Sequence, residues 1–184
     1  MNRETIIGAS RQELLELLKG GFAIDPDALA DTRYFGISLG LPAWIDKLAW
    51  KTFRKVFHRD PSEGVLRGWN VKLEQEGLDL PGTPKLRKGT LKSFGHYKVR
   101  PLEAYPTKDG LERGLMLDYG LGRNRRFRPS NLVRDPLVAL KEGDTTLLLG
   151  RSYLKLGRGL RPTRSYFLLE REGELQDIIT PPRQ

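Results

Sequence analysis

The chain has 184 residues, 38% hydrophobic and 30% charged, with 32 Lys+Arg against 23 Asp+Glu and a formal net charge of +9. This length and composition describe one folded domain and exclude a disordered chain. The absence of cysteine excludes disulfides, Cys-ligated zinc, iron–sulfur clusters and thiol nucleophiles, and only two histidines exclude a multi-histidine metal site.

In chain order, the first sixty residues read as helical. Ser10 followed by Glu13 is a capping box, in which each side chain answers a backbone donor left free at a helix start. Leu14, Leu15, Leu17 and Leu18 then form an apolar face, and Gly20-Gly21 ends the segment. A loop marked by Asp25-Pro26 and Gly36 follows. Pro42 suits the first turn of a second helix predicted to run to about Phe57. Ile45, Leu48, Ala49, Phe53, Val56 and Phe57 recur there at helical spacing, with Lys47, Lys51, Arg54 and Lys55 mostly elsewhere. Trp44 and Trp50 among these cations also fit an interfacial helix, but packing on a barrel is the simpler account.

From about Gly64 the period changes to two. Val65 to Leu73, Thr90 to Tyr105, Leu111 to Tyr119, Asn131 to Leu140, Thr145 to Leu156 and Thr163 to Arg171 are strand candidates separated by turn residues. With no helix between them they predict an antiparallel meander, and βαβ nucleotide-binding folds are excluded. Such a sheet removes its edges by closing, and an up-and-down barrel of about eight strands leaves room for one small ligand. The predicted fold is mainly β (α+β by content). Two N-terminal helices in residues 1–60 cap or cover an antiparallel barrel in 61–174, followed by a tail in 175–184. No run is long and apolar enough for a transmembrane helix, and no signal peptide is read at the N-terminus, so the expected location is cytoplasmic.

The stretch Arg134-Asp135-Pro136-Leu137 through Gly143-Asp144-Thr145, Leu148-Leu149-Gly150 and Tyr166 to Arg171 resembles the closing strands of bacterial lipocalin-like (calycin-type) barrels, among them the GXWXG type. The likeness covers about the last 120 residues. It implies that Trp69, after Gly68, packs under Arg171 and closes the barrel floor. Arg67 stands where the motif's first glycine would be, a departure from the pattern.

Polar residues inside apolar strands carry the functional expectations, since a buried polar group needs a partner. Arg134, Arg151, Tyr153, Tyr166 and His96 are candidates to orient a ligand, the arginines through a fork that matches carboxylate or phosphate oxygens. The alternative is that Asp118, Arg134 and Asp135 form structural ion pairs and His96 faces outward. Asp118, Tyr119 and His96 are the candidates for acid–base chemistry. Neither histidine has a partner in a recognisable catalytic motif. Basic clusters stand at Lys85–Lys92, at Arg123, Arg125, Arg126 and Arg128 around Phe127, and from Arg151 to Arg164. They read as solvated surface, as a docking face for an anionic membrane or, least, for nucleic acid.

The expected function is binding or carriage of a small hydrophobic ligand, a fatty acid or lipid-like molecule with an acidic head. The alternatives are an enzyme acting in the same cavity and, third, a nucleic-acid or membrane binder. No cofactor or metal is expected.

Overall fold

The computed structural model describes residues 2–40, 51–157 and 159–182. Eight antiparallel strands close into a barrel: β1 (Thr32–Leu39), β2 (Thr52–Asp60), β3 (Val65–Lys72), β6 (Ser93–Pro101), β7 (Leu115–Asp118), β8 (Val133–Lys141), β9 (Asp144–Leu156) and β10 (Gly159–Glu174). Each pairs with the next in that order, and β10 returns to β1. A two-residue hairpin, β4 (Leu86–Arg87) with β5 (Thr90–Leu91), interrupts the meander between β3 and β6. The closed antiparallel barrel is the architecture expected from the strand pattern.

Two helices cover the outer wall. In α1 (Arg3–Ile7) the Asn2 side chain accepts from the Thr5 amide at 3.0 Å. In α2 (Arg11–Lys19) both halves of the capping box are present, Glu13 N to Ser10 Oγ at 3.3 Å and Ser10 N to Glu13 Oε2 at 2.7 Å. Ile6, Leu14 and Leu18 bury against Val138, Leu149, Leu168 and Phe35, which are outward-facing residues of the wall.

The first sixty residues differ from expectation in an instructive way. Thr52 to Phe57, read as the end of a second helix, falls in strand β2, and residues 42–50 of that segment, with Trp44 and Trp50, lie outside the described residues. On a strand, Phe53, Lys55 and Phe57 share one face and Arg54 and Val56 the other. A short apolar run at mixed spacing satisfies both periods, and only pairing with β1 and β3 decides between them. Likewise β1 occupies part of the predicted loop, because Gly36 sits within a strand instead of a turn. The barrel therefore begins at residue 32 instead of 61.

The interior divides into two halves. In one, Tyr34, Phe57 and Tyr97 stack edge to face at 5.6 and 5.8 Å, with Leu66, Val99, Leu115 and Leu117 around them. Leu29, from a 3-10 turn at Pro26–Leu29, and Ile24 join that cluster and close the end. The other half remains open. Among the described residues, no helix is long and apolar enough to cross a membrane.

Candidate functional site

The open half of the barrel holds a cavity of about 310 Å³. Its lining combines Phe53, Phe94, Val133 and Phe167 with Ser38, Ser130, Ser152 and Ser165, and its deep wall carries Lys55, Asn70, Tyr119 and Asp135. A larger hollow of about 660 Å³ between α1 and α2 is lined by exposed Ser10, Gln12, Glu13 and Glu16 and contains no buried charge. The buried charges line the barrel cavity instead.

Glycines opposite the aromatic rings shape this half. Gly36 is paired with Phe53 and Gly150 with Phe167. A β-carbon at Gly36 would come within 2.5 Å of the Phe53 ring, and one at Gly150 within 2.1 Å of the Phe167 ring. The missing side chains let both rings turn inward, where they meet edge to face at 6.2 Å.

Between them stands Lys55, 1% exposed. Its Nζ lies 4.9 Å from the Tyr97 ring, 5.0 Å from Phe167, 5.3 Å from Tyr119 and 5.6 Å from Phe53. It donates to Tyr119 Oη at 2.7 Å and stands 3.9 Å from Asp135 Oδ2. Tyr119 Oη in turn donates to Asp135 Oδ2 at 3.0 Å and accepts from Asn70 Nδ2 at 3.3 Å. Asn70 Nδ2 also donates to the Gly95 carbonyl at 3.2 Å, whereas Asn70 Oδ1 has no hydrogen-bond partner among the described residues.

Burial sets the protonation chemistry of this cluster. It pushes the Lys55 ammonium down to about 8, against the opposing pull of Asp135. It raises the Asp135 carboxyl above the ordinary range, with Lys55 as the main opposing influence. Tyr97 and Tyr119 are held well above an ordinary phenol, first by burial and then by the Asp135 charge, and so stay protonated. The site pairs one cation with one anion in an aromatic enclosure.

The residues expected from sequence to orient a ligand, Arg134, Arg151, Tyr153, Tyr166 and His96, all fall on the opposite face of the same strands. Asp135 and Ser152 face the cavity, so Arg134 and the pair Arg151/Tyr153 face outward; Ser165 and Phe167 do the same to Tyr166, and Tyr97 to His96. Arg134 Nε lies 3.0 Å from Asp118 Oδ2, which also accepts from Tyr105 Oη at 2.6 Å. Arg151 pairs with Asp109 at 2.9 Å, lies over the Tyr166 ring at 4.9 Å, and shares Asp109 with the Tyr153 hydroxyl. These are outer-wall ties and do not line the cavity. Of the acid–base candidates only Tyr119 reaches it. Asp118 joins Arg134 outside. His96 lies outside against Trp69, at 6.1 Å between rings, with burial and then Arg67 lowering its pKa to about 4.

Trp69 is also on the outer wall, packed with Val56, Val71, Leu91, Leu175 and Ile179. The guanidinium over it is that of Arg67, at 5.1 Å, while Arg171 pairs with Glu174 at 2.9 Å. The pair Trp69/Arg171 therefore does not close the floor; the Pro26–Leu29 turn does. Trp69 instead holds down the C-terminal segment, which Arg67 also grips through the Ile179 carbonyl at 3.0 Å.

Lys55, Asn70 and the serine rim were not singled out from sequence. The available signal was the pattern Phe53-x-Lys55-x-Phe57, in which alternation places a lysine between two phenylalanines on one face. No family model, curated protein or solved structure matches this chain.

Proposed function

We propose that the barrel binds a small molecule with an apolar body and a hydrogen-bonding head, the head directed at Lys55, Tyr119 and Asn70. The observation that carries this reading is a fully buried lysine in the wall of an open cavity. A charge so placed is expensive to bury unless the site uses it. The cavity volume of about 310 Å³ lies at the lower end of the range of roughly 300–1,000 Å³ occupied by small-molecule sites. Four phenylalanine and valine side chains would hold the body, and the unanswered Asn70 Oδ1 would accept from a donor on the head. Because Asp135 already balances Lys55, a neutral polar head is favoured over the carboxylate of a fatty acid.

The test is displacement of a fluorescent apolar probe by a series of decyl compounds differing only in the head group. Binding with decanol ahead of decanoate, and its loss in the cavity-filling variant Ser152→Phe, is the expected result. Equal probe binding by the native chain and Ser152→Phe would sink the proposal.

A second feature favours a membrane as the source of that ligand. The loop between Tyr119 and Val133, both cavity residues, carries Arg125, Arg126 and Arg128 around Phe127, which is 88% exposed. An apolar tip among cations suits an anionic bilayer, each cation contributing about 1 kcal/mol close to the surface. Co-flotation with phosphatidylserine vesicles, reduced in Phe127→Ser, is the expected outcome; equal flotation with neutral vesicles would remove the membrane from the proposal.

A further inference from the structure

We infer that Lys55 is a carbonyl-capturing nucleophile, and that the ligand class of the cavity is an apolar aldehyde held as a reversible imine. The inference rests on the reading of the cavity given above and names its ligand chemistry.

Three features of the geometry point this way. The first is the position of Nζ: it ends in a cavity instead of a salt bridge to solvent, and among the described residues its one close hydrogen bond is to a neutral phenol, Tyr119, at 2.7 Å. An amine in such surroundings loses its proton far more readily than a surface lysine, and burial indeed brings it down to about 8. The second is charge conservation. Overall, an ammonium and an aldehyde give a protonated imine and water: the nitrogen first gives up one proton, its freed lone pair adds to the carbonyl carbon, the C=O bond is replaced by C=N, and the oxygen leaves as water with two protons that began on nitrogen. One positive charge enters and one remains. The rings of Phe53, Tyr97, Tyr119 and Phe167 and the Asp135 carboxylate that surround the ammonium therefore surround the iminium equally well. No oxidant, reductant or metal is required.

The third is a proton path. The departing oxygen needs a proton, and the chain Lys55 Nζ, Tyr119 Oη, Asp135 Oδ2, with steps of 2.7 and 3.0 Å, offers a phenol and a carboxyl with a raised pKa beside the reacting nitrogen. A carboxylate ligand could use none of this and would meet Asp135 as a like charge.

The experiment uses the full chain with decanal and, in parallel, decanol, in the presence of cyanoborohydride. Intact mass and peptide mapping locate any alkylated lysine, and probe displacement reports binding of both compounds. Reduction should place one decyl group on Lys55 at a rate about tenfold or more above any exposed lysine. Tyr119→Phe should slow capture by a larger factor than it weakens decanol binding, and Lys55→Arg should abolish capture. If both compounds displace the probe but label spreads over surface lysines, carbonyl capture is wrong and the binding reading stands. If neither displaces it, the binding reading itself fails and takes this inference with it.

Discussion

Two polar sets built from sequence neighbours face opposite sides of one wall. On the outside, Arg134 meets Asp118, and Arg151 meets Asp109, with Tyr105 and Tyr153 completing the ties. Arg134 also donates to the carbonyls of Asn131 and Val133 at 2.9 and 2.7 Å. On the inside, Lys55 and Asp135 stand 3.9 Å apart with Tyr119 between them and empty volume beside them. The outer charges are answered by the protein and tie loops to the wall. The inner pair is buried among aromatic rings beside a cavity, so it is costly for the fold. A basic residue, an aspartate and a tyrosine thus meet on each face, and the pleat decides which side each set takes.

The difference can be broken most severely from the inside. Asp135→Leu leaves the Lys55 ammonium buried without its counter-charge and should cost about 3–5 kcal/mol in denaturant unfolding. A loss below 1 kcal/mol would mean that the pair is not buried as described.

The next effect is a pH dependence with a defined sign. The folded chain gives up the Lys55 proton near 8, whereas the unfolded chain keeps it to the ordinary value of 10.5. Between these values the unfolded state binds more protons, so the stability of the native chain relative to Lys55→Met should rise with pH, by up to about 3 kcal/mol, and be flat below about pH 7. The groups facing Lys55 that could distort this are Asp135, Tyr97 and Tyr119, and the phenols stay protonated throughout. A flat difference across the window would show that Lys55 reaches solvent.

Replacing both charges sharpens the contrast. Lys55→Met with Asp135→Leu should match or exceed native stability, by about 1–4 kcal/mol, because desolvation of both ions is avoided. It should also lose aldehyde capture, separating the stability of the site from its use. The outer set should behave in the opposite sense. Asp118→Asn, weakening the tie to Arg134, should cost about 1–3 kcal/mol without altering probe affinity. Smallest of all, Phe127→Ser should leave the unfolding free energy nearly unchanged, within about 0.5 kcal/mol, since its ring buries almost nothing.

Much of the fold could be read before any coordinates. Alternating apolar residues from Val65 onward, turn residues between them and the Ser10/Glu13 cap correspond to β3, β6 to β10 and α2. The candidate site was far less legible. Arg134, Arg151 and Tyr153 stand out in the sequence as polar residues within apolar strands, and Asp135 and Ser152, one position away, are equally so. With both wall faces largely covered, inside by the core and outside by α1, α2 and the C-terminal segment, burial alone does not say which alternate residue faces the cavity. Lys55 was hidden differently. Its segment satisfied a helical spacing, and on a helix its charge belonged to a solvated face.

The sequence by itself determined that this is a basic, cysteine-free chain whose later two-thirds forms an antiparallel meander, because composition and the period of apolar residues are local properties. Only the tertiary structure decided that β1 and β2 complete the barrel, that Trp69 braces the C-terminal segment outside it, and that Lys55, Asn70, Tyr119 and Asp135 converge on one cavity. Lys55 and Asn70 are partners across the β2–β3 hairpin, whereas Tyr119 and Asp135 come from the turn after β7 and from β8, and no local spacing records that closure brings these two sets together.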